Sequence, residues 1–356
     1  MWLAFFDEWA HVYGAERALG RALGGLMLRL VQVSAIFFAL FALGCGEDTA
    51  SGDGTPSGGS GGGSGASGSG GGGGSAGAGT GGGDAGTECP DPAQLGAGEV
   101  CLQAVEGRVT DSSGTPVPEV LTTVCGSRQC NPGVTGSDGR FRVEVGFALA
   151  LRDYSTLPHG RPNRTSFYFQ LPLDAAGPVV QVGDLPMLDL PATGPLLVVK
   201  TDNAGAPAQS VTSGDVTFEV AEGVRVLLDV EDVVDGENGK MFRALDVPQE
   251  RRDTFIDPGI GAFALYAFTP FEAGFDVEAT GVSATARLSF ANRTGLAAGS
   301  AVEVLALGTY QYLDWVTPAA FEPVAAATVT ADGTRIELDS GEGLRYLTWV
   351  ALRAKP

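Results

Sequence analysis

The chain has 356 residues, enough for two or three domains of ordinary size, yet about a quarter of it has a composition that cannot join a hydrophobic core. Acidic residues outnumber basic ones by 42 to 22, which gives a formal net charge of -20. The first 44 residues are neutral overall, so the negative charge lies beyond them and disfavours binding to nucleic acid or to anionic membrane surfaces.

An apolar run precedes Cys45. Residues 27–45 read MLRLVQVSAIFFALFALGC, with Arg29 ahead of an uncharged stretch and Gly44 just before the cysteine. This order is typical of a signal peptide. It resembles the bacterial lipobox, which implies that residues 1–44, with an over-extended N-terminus, are a signal peptide and that a lipidated Cys45 anchors the protein to a membrane. An uncleaved membrane helix is the alternative, and it would also tether the chain.

Residues 45–88 are predicted to be a disordered linker that follows the anchor. From Gly46 to Glu88, 21 of 43 residues are glycine, and most of the others are Ser, Ala or Thr. Such a segment has too little apolar surface to offset the entropy of ordering, so we expect a flexible coil with a typical reach of ~35 Å. The linker would hold the folded part of the chain away from the membrane.

The four remaining cysteines are Cys89, Cys101, Cys125 and Cys130, and none follows them. An even set in an exported chain predicts two disulfides. We favour Cys125 with Cys130 and Cys89 with Cys101, because each pair closes a short loop, although the other pairings stay open. Zinc is disfavoured, since the chain has no Cys-x-x-Cys pair and only one histidine after residue 11, His159.

Short apolar runs separated by turn residues predict β-strands in the region that follows the linker. Phe141, Val143 and Val145 alternate with charged residues, which is typical of a half-buried strand. The segments VEGRVTDSSGTPVPEV and TGSDGRFRVEV resemble the carboxypeptidase regulatory-like domain, a transthyretin-like sandwich of seven strands. The resemblance covers residues 102–191 and implies an extracytoplasmic accessory module at 89–192. The predicted strands here are 104–110, 117–124, 140–147, 166–171 and 179–190.

The same pattern continues through residues 193–356, which we predict to be a second domain. Asp332-Gly333 separates two apolar runs as a hairpin turn would. ALYAFTPFEAGFD and the later phrases resemble, loosely, the ZU5-type β-rich modules of bacterial surface proteins. The fold class expected is all-β, with two antiparallel β-sandwich domains in tandem. The predicted strands here are 196–201, 216–220, 224–230, 263–268, 284–290, 301–307, 325–329, 335–338 and 347–352.

Two features could carry binding. Asp229, Glu231, Asp232 and Asp235 offer oxygen ligands that suit calcium, but their spacing does not match an EF-hand loop, so a solvated acidic turn is the favoured interpretation and no metal is predicted.

The second feature is aromatic. Tyr310, Tyr312 and Trp315 could form a platform for sugars or peptides, with ordinary packing as the favoured alternative.

The chain offers little for catalysis. His159 lies in a Pro/Gly-rich stretch and is predicted to be a loop residue. A zinc peptidase needs two histidines around the metal, and a catalytic Ser or Cys needs a histidine base, so a single loop histidine disfavours both. We therefore predict a protein that is not an enzyme and has no cofactor: a lipoprotein of the cell envelope, expected in the outer membrane, whose β-modules bind or scaffold an extracytoplasmic protein or glycan. The alternatives are a carbohydrate-binding surface protein and a carboxylate-based hydrolase, which would need an acidic pair in a cleft.

Overall fold

A computed structural model of the protein describes residues 99–126, 130–150, 154–161, 163–172, 178–199 and 206–355. The predicted signal peptide, Cys45, the glycine-rich linker and Cys89 lie outside the described residues. The described residues all belong to one compact unit of the chain. Within them, no helix has the length and apolar character needed to cross a membrane. Strands dominate over a few short helices, which confirms the all-β class.

Seven strands form the first part of the described chain: β1 (Glu99–Thr110), β2 (Leu121–Cys125), β3 (Cys130–Val134), β4 (Arg140–Ala150), β5 (Ser155–His159), β6 (Phe169–Gln170) and β7 (Val179–Pro186). One sheet has the order β4-β1-β7, with β1 antiparallel to β4 and parallel to β7. The other is antiparallel with the order β3-β2-β5-β6. Buried residues from both sheets share one core. The strand number agrees with the resemblance to the carboxypeptidase regulatory-like domain, whose assignment stays a prediction.

Strand β4 follows the predicted alternation. Phe141, Val143 and Val145 are buried, whereas Arg142 and Glu144 between them are exposed. Successive side chains of a strand point to opposite faces, so one face joins the core and the other meets water. Each buried apolar side chain contributes roughly 1.5–3 kcal/mol to folding.

The disulfide between Cys125 and Cys130 is present, as predicted. The two residues are directly paired where β2 ends and β3 begins, next to the connection between the strands, with their Cα atoms 4.0 Å apart. Cys101 also takes part in a disulfide, and its predicted partner lies outside the described residues.

Eleven strands follow in the second part: β8 (Gln209–Ser213), β9 (Val216–Val220), β10 (Val224–Leu227), β11 (Arg243–Asp246), β12 (Ala264–Thr269), β13 (Gly274–Val277), β14 (Arg287–Ala291), β15 (Ala301–Leu307), β16 (Phe321–Val329), β17 (Arg335–Leu338) and β18 (Val350–Ala354). Nine of them form one antiparallel sheet of order β11-β12-β18-β15-β16-β17-β14-β9-β8, which curves until it nearly closes. Strands β10 and β13 pair separately.

The predicted hairpin turn at Asp332-Gly333 joins β16 to β17, which pair antiparallel. The carboxylate of Asp332 accepts hydrogen bonds from the Thr330 hydroxyl at 2.6 Å and from the Thr334 backbone N–H at 3.0 Å. These bonds lower the pKa of Asp332 to about 2. Gly333 adopts a φ of 74°, which a side chain would disfavour, so the Asp-Gly pair suits this turn.

The concave side of the large sheet holds an aromatic core. Phe218 stacks on Phe242 with ring centroids 5.1 Å apart, and Phe242 stacks on Phe268 at 6.0 Å. All three rings are almost fully buried. Offset stacking adds to the hydrophobic gain of burying such large side chains.

A further core contains residues from both parts of the chain. Phe167 packs edge-on against Trp349 at a centroid distance of 4.8 Å, and Phe255 contacts both rings. The indole N–H of Trp349 donates to the Ser166 carbonyl at 2.6 Å. The predicted domain boundary between residues 192 and 193 stays a prediction, but the residues on its two sides share buried surface.

The helices are short. They are α1 (Val230–Val234), α2 (Gln249–Arg252) and the single 3-10 turns Asn238–Lys240 and Pro258–Ile260. The strand predicted to run to Val230 ends at Leu227, because Asp229 caps α1 and its carboxylate accepts from the Val230 N–H at 2.7 Å. The strand predicted at 166–171 is reduced to β6, and Leu196 forms only an isolated bridge with Met241.

Candidate functional site

A narrow cleft lies where β5 and the residues after it meet α1 and the turn that follows β12. Its open cavity measures about 40 Å³, enough for a few water molecules but not for a sugar ring. We call it the acidic cleft after the five carboxyl groups that line it, Asp229, Glu231, Asp232, Asp235 and Glu272; His159, Arg161, Arg164 and Arg243 also line it. All four predicted calcium candidates therefore lie in one place.

His159 links the two parts of the chain across this cleft. It is the last residue of β5 and pairs with Leu121 of β2, so the prediction of a loop residue was wrong. Its side chain is 13% exposed, and Nδ1 lies 2.7 Å from Oε2 of Glu231 on α1. Burial opposes protonation of the ring, but the carboxylates of Glu231, Asp229 and Glu272 outweigh it, so the pKa of His159 is raised.

Glu272 is the most deeply buried of the five acids, at 6% exposure. Its backbone has a φ of 64°, a left-handed conformation that is uncommon outside glycine and places the residue in a tight turn after β12. Its carboxylate accepts a hydrogen bond from the buried Tyr168 hydroxyl at 3.0 Å. Burial, followed by the nearby charge of Asp229, raises the pKa of Glu272 to about 7.

The acids of α1 repel one another. Burial is the main cause that raises the pKa of Asp232 to about 8, and the charges of Asp229, Glu231 and Asp235 add to it. Burial also raises the pKa values of Asp229 and Asp235. The cleft thus brings together several carboxyl groups whose pKa values are raised by burial and by one another's charge.

The arginines at the cleft are bound to other groups. Arg161 donates to the Pro118 carbonyl, and Arg164 lies 3.2 Å from the Asp189 carboxylate. Arg243 is fully buried and donates to the Asn238 side chain at 3.1 Å. Burial lowers the pKa of Arg243, although Asp232 and Asp235 favour its charged form. Two of the three guanidinium groups thus have partners outside the cleft.

The aromatic candidates lie beside the same turn but do not share one surface. Tyr310 packs edge-on against Tyr168 at 5.4 Å, next to Glu272. Tyr312 stacks on the buried Tyr346 at 4.5 Å, and Trp315 meets the same ring edge-on at 4.7 Å. All three candidates are half-buried. The structure brings Tyr312 and Trp315 together on one ring and places Tyr310 on another.

The acids do not assemble into a metal centre. Among the residues that the structure describes, no group of three or more His, Cys, Asp or Glu side chains is arranged to hold a metal ion. The acids lie on or beside the short helix α1, none of whose residues is buried; Asp232 lines the cleft, whereas Val230, Val233 and Val234 are exposed. The preference for a solvated acidic turn over a calcium site stays a prediction.

Glu272 and Tyr168 were not found from the sequence. Both occur in ordinary β-rich segments, 104 residues apart, and no motif marks either of them. The residue type alone could have flagged Glu272, since a carboxyl beside Pro270 and Phe271 in an apolar stretch is unusual. Its contact with Tyr168 can be recognised only in the tertiary structure.

Comparisons with known proteins add little. No family model matches the chain, and no curated protein matches its sequence. One solved structure that it resembles is the crystal structure of a protein from Bacteroides uniformis proposed to bind carbohydrate. The two share 10% identity, the match covers 70% of this chain and 78% of the other, and the TM-score is 0.16. A similarity of that size carries no argument about fold or function.

Proposed function

We propose that the protein is an exported lipoprotein, anchored through Cys45, whose β-rich region binds or scaffolds a protein or glycan outside the cytoplasm. The observation that best supports export is the disulfide between Cys125 and Cys130, because structural disulfides persist in oxidising compartments. It agrees with the signal-like run before Cys45 and the glycine-rich segment after it. Two or three acyl chains on one cysteine would give stable attachment.

Cell fractionation tests the anchor. The wild-type chain is expected in the membrane fraction, and Cys45→Ala is expected to lose lipid attachment and accumulate as an unprocessed precursor or a soluble form. Leu43→Ala is the matched control, since it alters the same apolar segment and keeps the cysteine. Identical behaviour of Cys45→Ala and wild type in a lipid-labelling assay would reject the anchor.

Capture of a partner tests the binding role. Cross-linking on intact cells, followed by purification and mass spectrometry, is expected to recover one dominant envelope protein or glycan with the wild-type chain. That species should not be recovered with an unrelated protein that carries residues 1–88 of this chain at its N-terminus. Recovery of the same species with both chains would assign the capture to the anchor and linker and would count against a binding role of the β-rich region.

A carboxylate-based hydrolase is the second candidate. It is favoured by the acidic cleft itself, where Glu272 and Asp232 have pKa values of about 7 and 8 while other carboxyls lie beside them. A protonated acid next to an ionised one is the pair that acid-base hydrolysis needs. The cleft is narrow, so only a thin or terminal group of a substrate would reach it.

Hydrolysis of small nitrophenyl esters such as nitrophenyl acetate, whose acyl group is thin enough for the cleft, tests this candidate in assays from pH 4 to 9. Turnover by the wild-type chain that is lost in both Glu272→Gln and Asp232→Asn, and kept in the exposed control Glu250→Gln, is the expected result for a hydrolase. Absence of turnover, or turnover unaffected by the two cleft variants, would reject it.

A further inference from the structure

A second and larger cavity is lined by residues of β11, α2, β12, β14, β17 and β18 and of the turns beside them. Its open volume is about 170 Å³, roughly four times that of the acidic cleft. We call it the Tyr266 cavity. Its polar lining comes from Asp246, Gln249, Arg252, Tyr266, Arg293 and Thr294, and its apolar lining from Phe263, Ala264, Ala291, Ile336 and Leu352.

Tyr266 lines this cavity and packs between two other aromatic rings. Its residue is 3% exposed, and its ring packs between Phe290, with centroids 5.0 Å apart, and Phe268 at 6.2 Å. Its register partner on β11 is Asp246, and paired residues of neighbouring strands share a face. The phenol therefore points to the side of the sheet where the charged groups of the cavity lie.

The Tyr266 hydroxyl lacks a partner within the described part of the chain, where it makes no hydrogen bond. The Tyr266 ring is buried, but its hydroxyl oxygen is accessible from the cavity, so a molecule there can bond to it. Burial, followed by the charges of Asp246 and Asp215, raises the pKa of Tyr266 to about 12. The phenol therefore stays neutral at physiological pH and can both donate and accept.

The charges around the cavity are balanced. Arg252 donates to the Val247 carbonyl at 3.0 Å and to the Phe263 carbonyl, and its Nη2 lies 3.4 Å from Asp246. Arg293 forms an ion pair with Asp215. Each guanidinium thus has a carboxylate partner of its own, so the cavity offers no free cation for a phosphate or carboxylate ligand.

The shape and polarity of the lining fit a hydroxylated ring. Polar groups make up the larger part of the lining, and they include the Tyr266 hydroxyl and paired charged groups that can donate and accept. The apolar side chains supply the smaller part, against which the C–H groups of a ring could pack. A lining rich in hydrogen-bonding groups suits a ligand that is rich in hydroxyl groups.

From these observations we propose that the Tyr266 cavity binds a neutral, hydroxyl-rich ring of monosaccharide size, with the Tyr266 hydroxyl bonded to one of its oxygens. This goes beyond the binding role proposed above by naming a site and a ligand class, and it does not depend on the lipid anchor. It also places glycan recognition away from Trp315, where the sequence suggested it.

Calorimetric and thermal-shift titration of the full chain in detergent tests the proposal. The probes are glucose, galactose, mannose, xylose and N-acetylglucosamine, with inorganic phosphate as an anionic comparison. The wild-type chain is expected to bind at least one of the sugars and not phosphate. Tyr266→Phe is expected to weaken that binding by about 10-fold, since it removes a single neutral hydrogen bond. The matched controls Tyr312→Phe and Trp315→Ala are expected to bind within twofold of wild type.

The stability of the variant without sugar separates a ligand-binding role from a structural one. Removing a hydroxyl that bonds to no protein group should leave the melting temperature of Tyr266→Phe equal to or above that of wild type, while the sugar-induced shift is lost. No binding of any probe sugar by the wild-type chain would overturn the proposal. So would sugar binding unchanged in Tyr266→Phe or abolished by Trp315→Ala alone. None of these outcomes bears on the fractionation result for Cys45, so the two proposals fail separately.

Discussion

Glu272→Gln should stabilise the protein at alkaline pH. The substitution keeps the shape of the side chain and an oxygen that can accept from Tyr168, while it removes a negative charge from a site that is 6% exposed. Below its pKa the wild-type side chain is protonated and neutral, so it resembles the amide. Above its pKa the wild-type chain must hold an ionised carboxylate in a buried and already acidic cleft, and the variant does not.

The size of the stabilisation by Glu272→Gln follows from the raised pKa of Glu272. The pKa of Glu272 is about 7 in the folded chain against an ordinary value of 4.5, a difference of about 2.5 units, and each unit corresponds to about 1.4 kcal/mol. The upper bound thus lies between about 3 and 4 kcal/mol. Asp229 and Asp232 lie in the same cleft, and their charges interact with that of Glu272. Their protonation can therefore adjust when Glu272 ionises, which should reduce the effect to about 1–2 kcal/mol.

Proton linkage determines whether folding stability rises or falls with pH. A carboxyl with a raised pKa binds more protons in the folded state than in the unfolded state between pH 4.5 and 7, so stability falls as pH rises through that window. The wild-type chain should lose stability between pH 5 and 8, and Glu272→Gln should lose less. Asp232, with a pKa of about 8, should extend the decline above pH 7.

Urea unfolding followed by tryptophan fluorescence measures this directly, because Trp349 is fully buried. The comparison is the free energy of unfolding at pH 5 and pH 8.5 for wild type, Glu272→Gln and the exposed control Glu250→Gln. The variant should gain about 1–2 kcal/mol over wild type at pH 8.5 and little at pH 5, and the control should follow wild type. A pH dependence of Glu272→Gln equal to that of wild type would refute the reasoning about the cleft.

Three other variants probe different parts of the structure. Because the pKa of His159 is raised, its charged contact to α1 is fully present below its ordinary pKa of 6.5 and is lost as pH rises. His159→Gln should therefore reduce the melting temperature more at pH 5.5 than at pH 8.5. A larger reduction at pH 8.5 would contradict this contact. Replacing both Cys125 and Cys130 with serine should cost about 2 kcal/mol in urea unfolding, as expected for a short closed loop, and added reductant should then have a smaller effect than on wild type. Gly274→Ala should lower the melting temperature, because a methyl group there meets the Tyr312 hydroxyl, and the added change Tyr312→Phe should recover part of the loss; no recovery would place the strain elsewhere.

The local sequence pattern was enough to predict the strands that bury one face. The bounds predicted for the strands at 216–220, 301–307 and 335–338 are those observed, and the alternation through Phe141, Val143 and Val145 matches the burial of β4. Period-two burial is encoded in neighbouring residues, so it can be read without knowing the partner strand. The Asp332-Gly333 turn was predictable for the same reason.

Elements whose identity depends on distant partners were missed. Strand β5 contains Pro158 and reads as a loop, yet its pairing with β2 fixes it as a strand. Helix α1 has the sequence VEDVV, which is too short for helical periodicity and is rich in β-branched residues. Its formation depends on the Asp229 cap and on the position of its acids beside His159.

The sites show the same division. The sequence identified the acids of α1 and the aromatic residues after β15 as candidates, but it could not show that the acids meet His159 and Glu272. It gave no sign of the Tyr266 cavity, since Tyr266 looks like any core residue of an apolar strand. Whether a strand tyrosine ends in a core or opens into a cavity depends on how far the sheet curves, and that is set by contacts between residues far apart in the chain.

The central claim is that the chain is exported and anchored through a lipid on Cys45, and intact-protein mass spectrometry of the membrane fraction tests it most directly. Wild-type cells are expected to give a chain that begins at an acylated Cys45 and lacks the hydrogens of two disulfides, whereas Cys45→Ala cells give no acylated species. An unprocessed chain that begins at Met1 or Met27, with free thiols at its cysteines, would contradict both the anchor and the oxidising compartment.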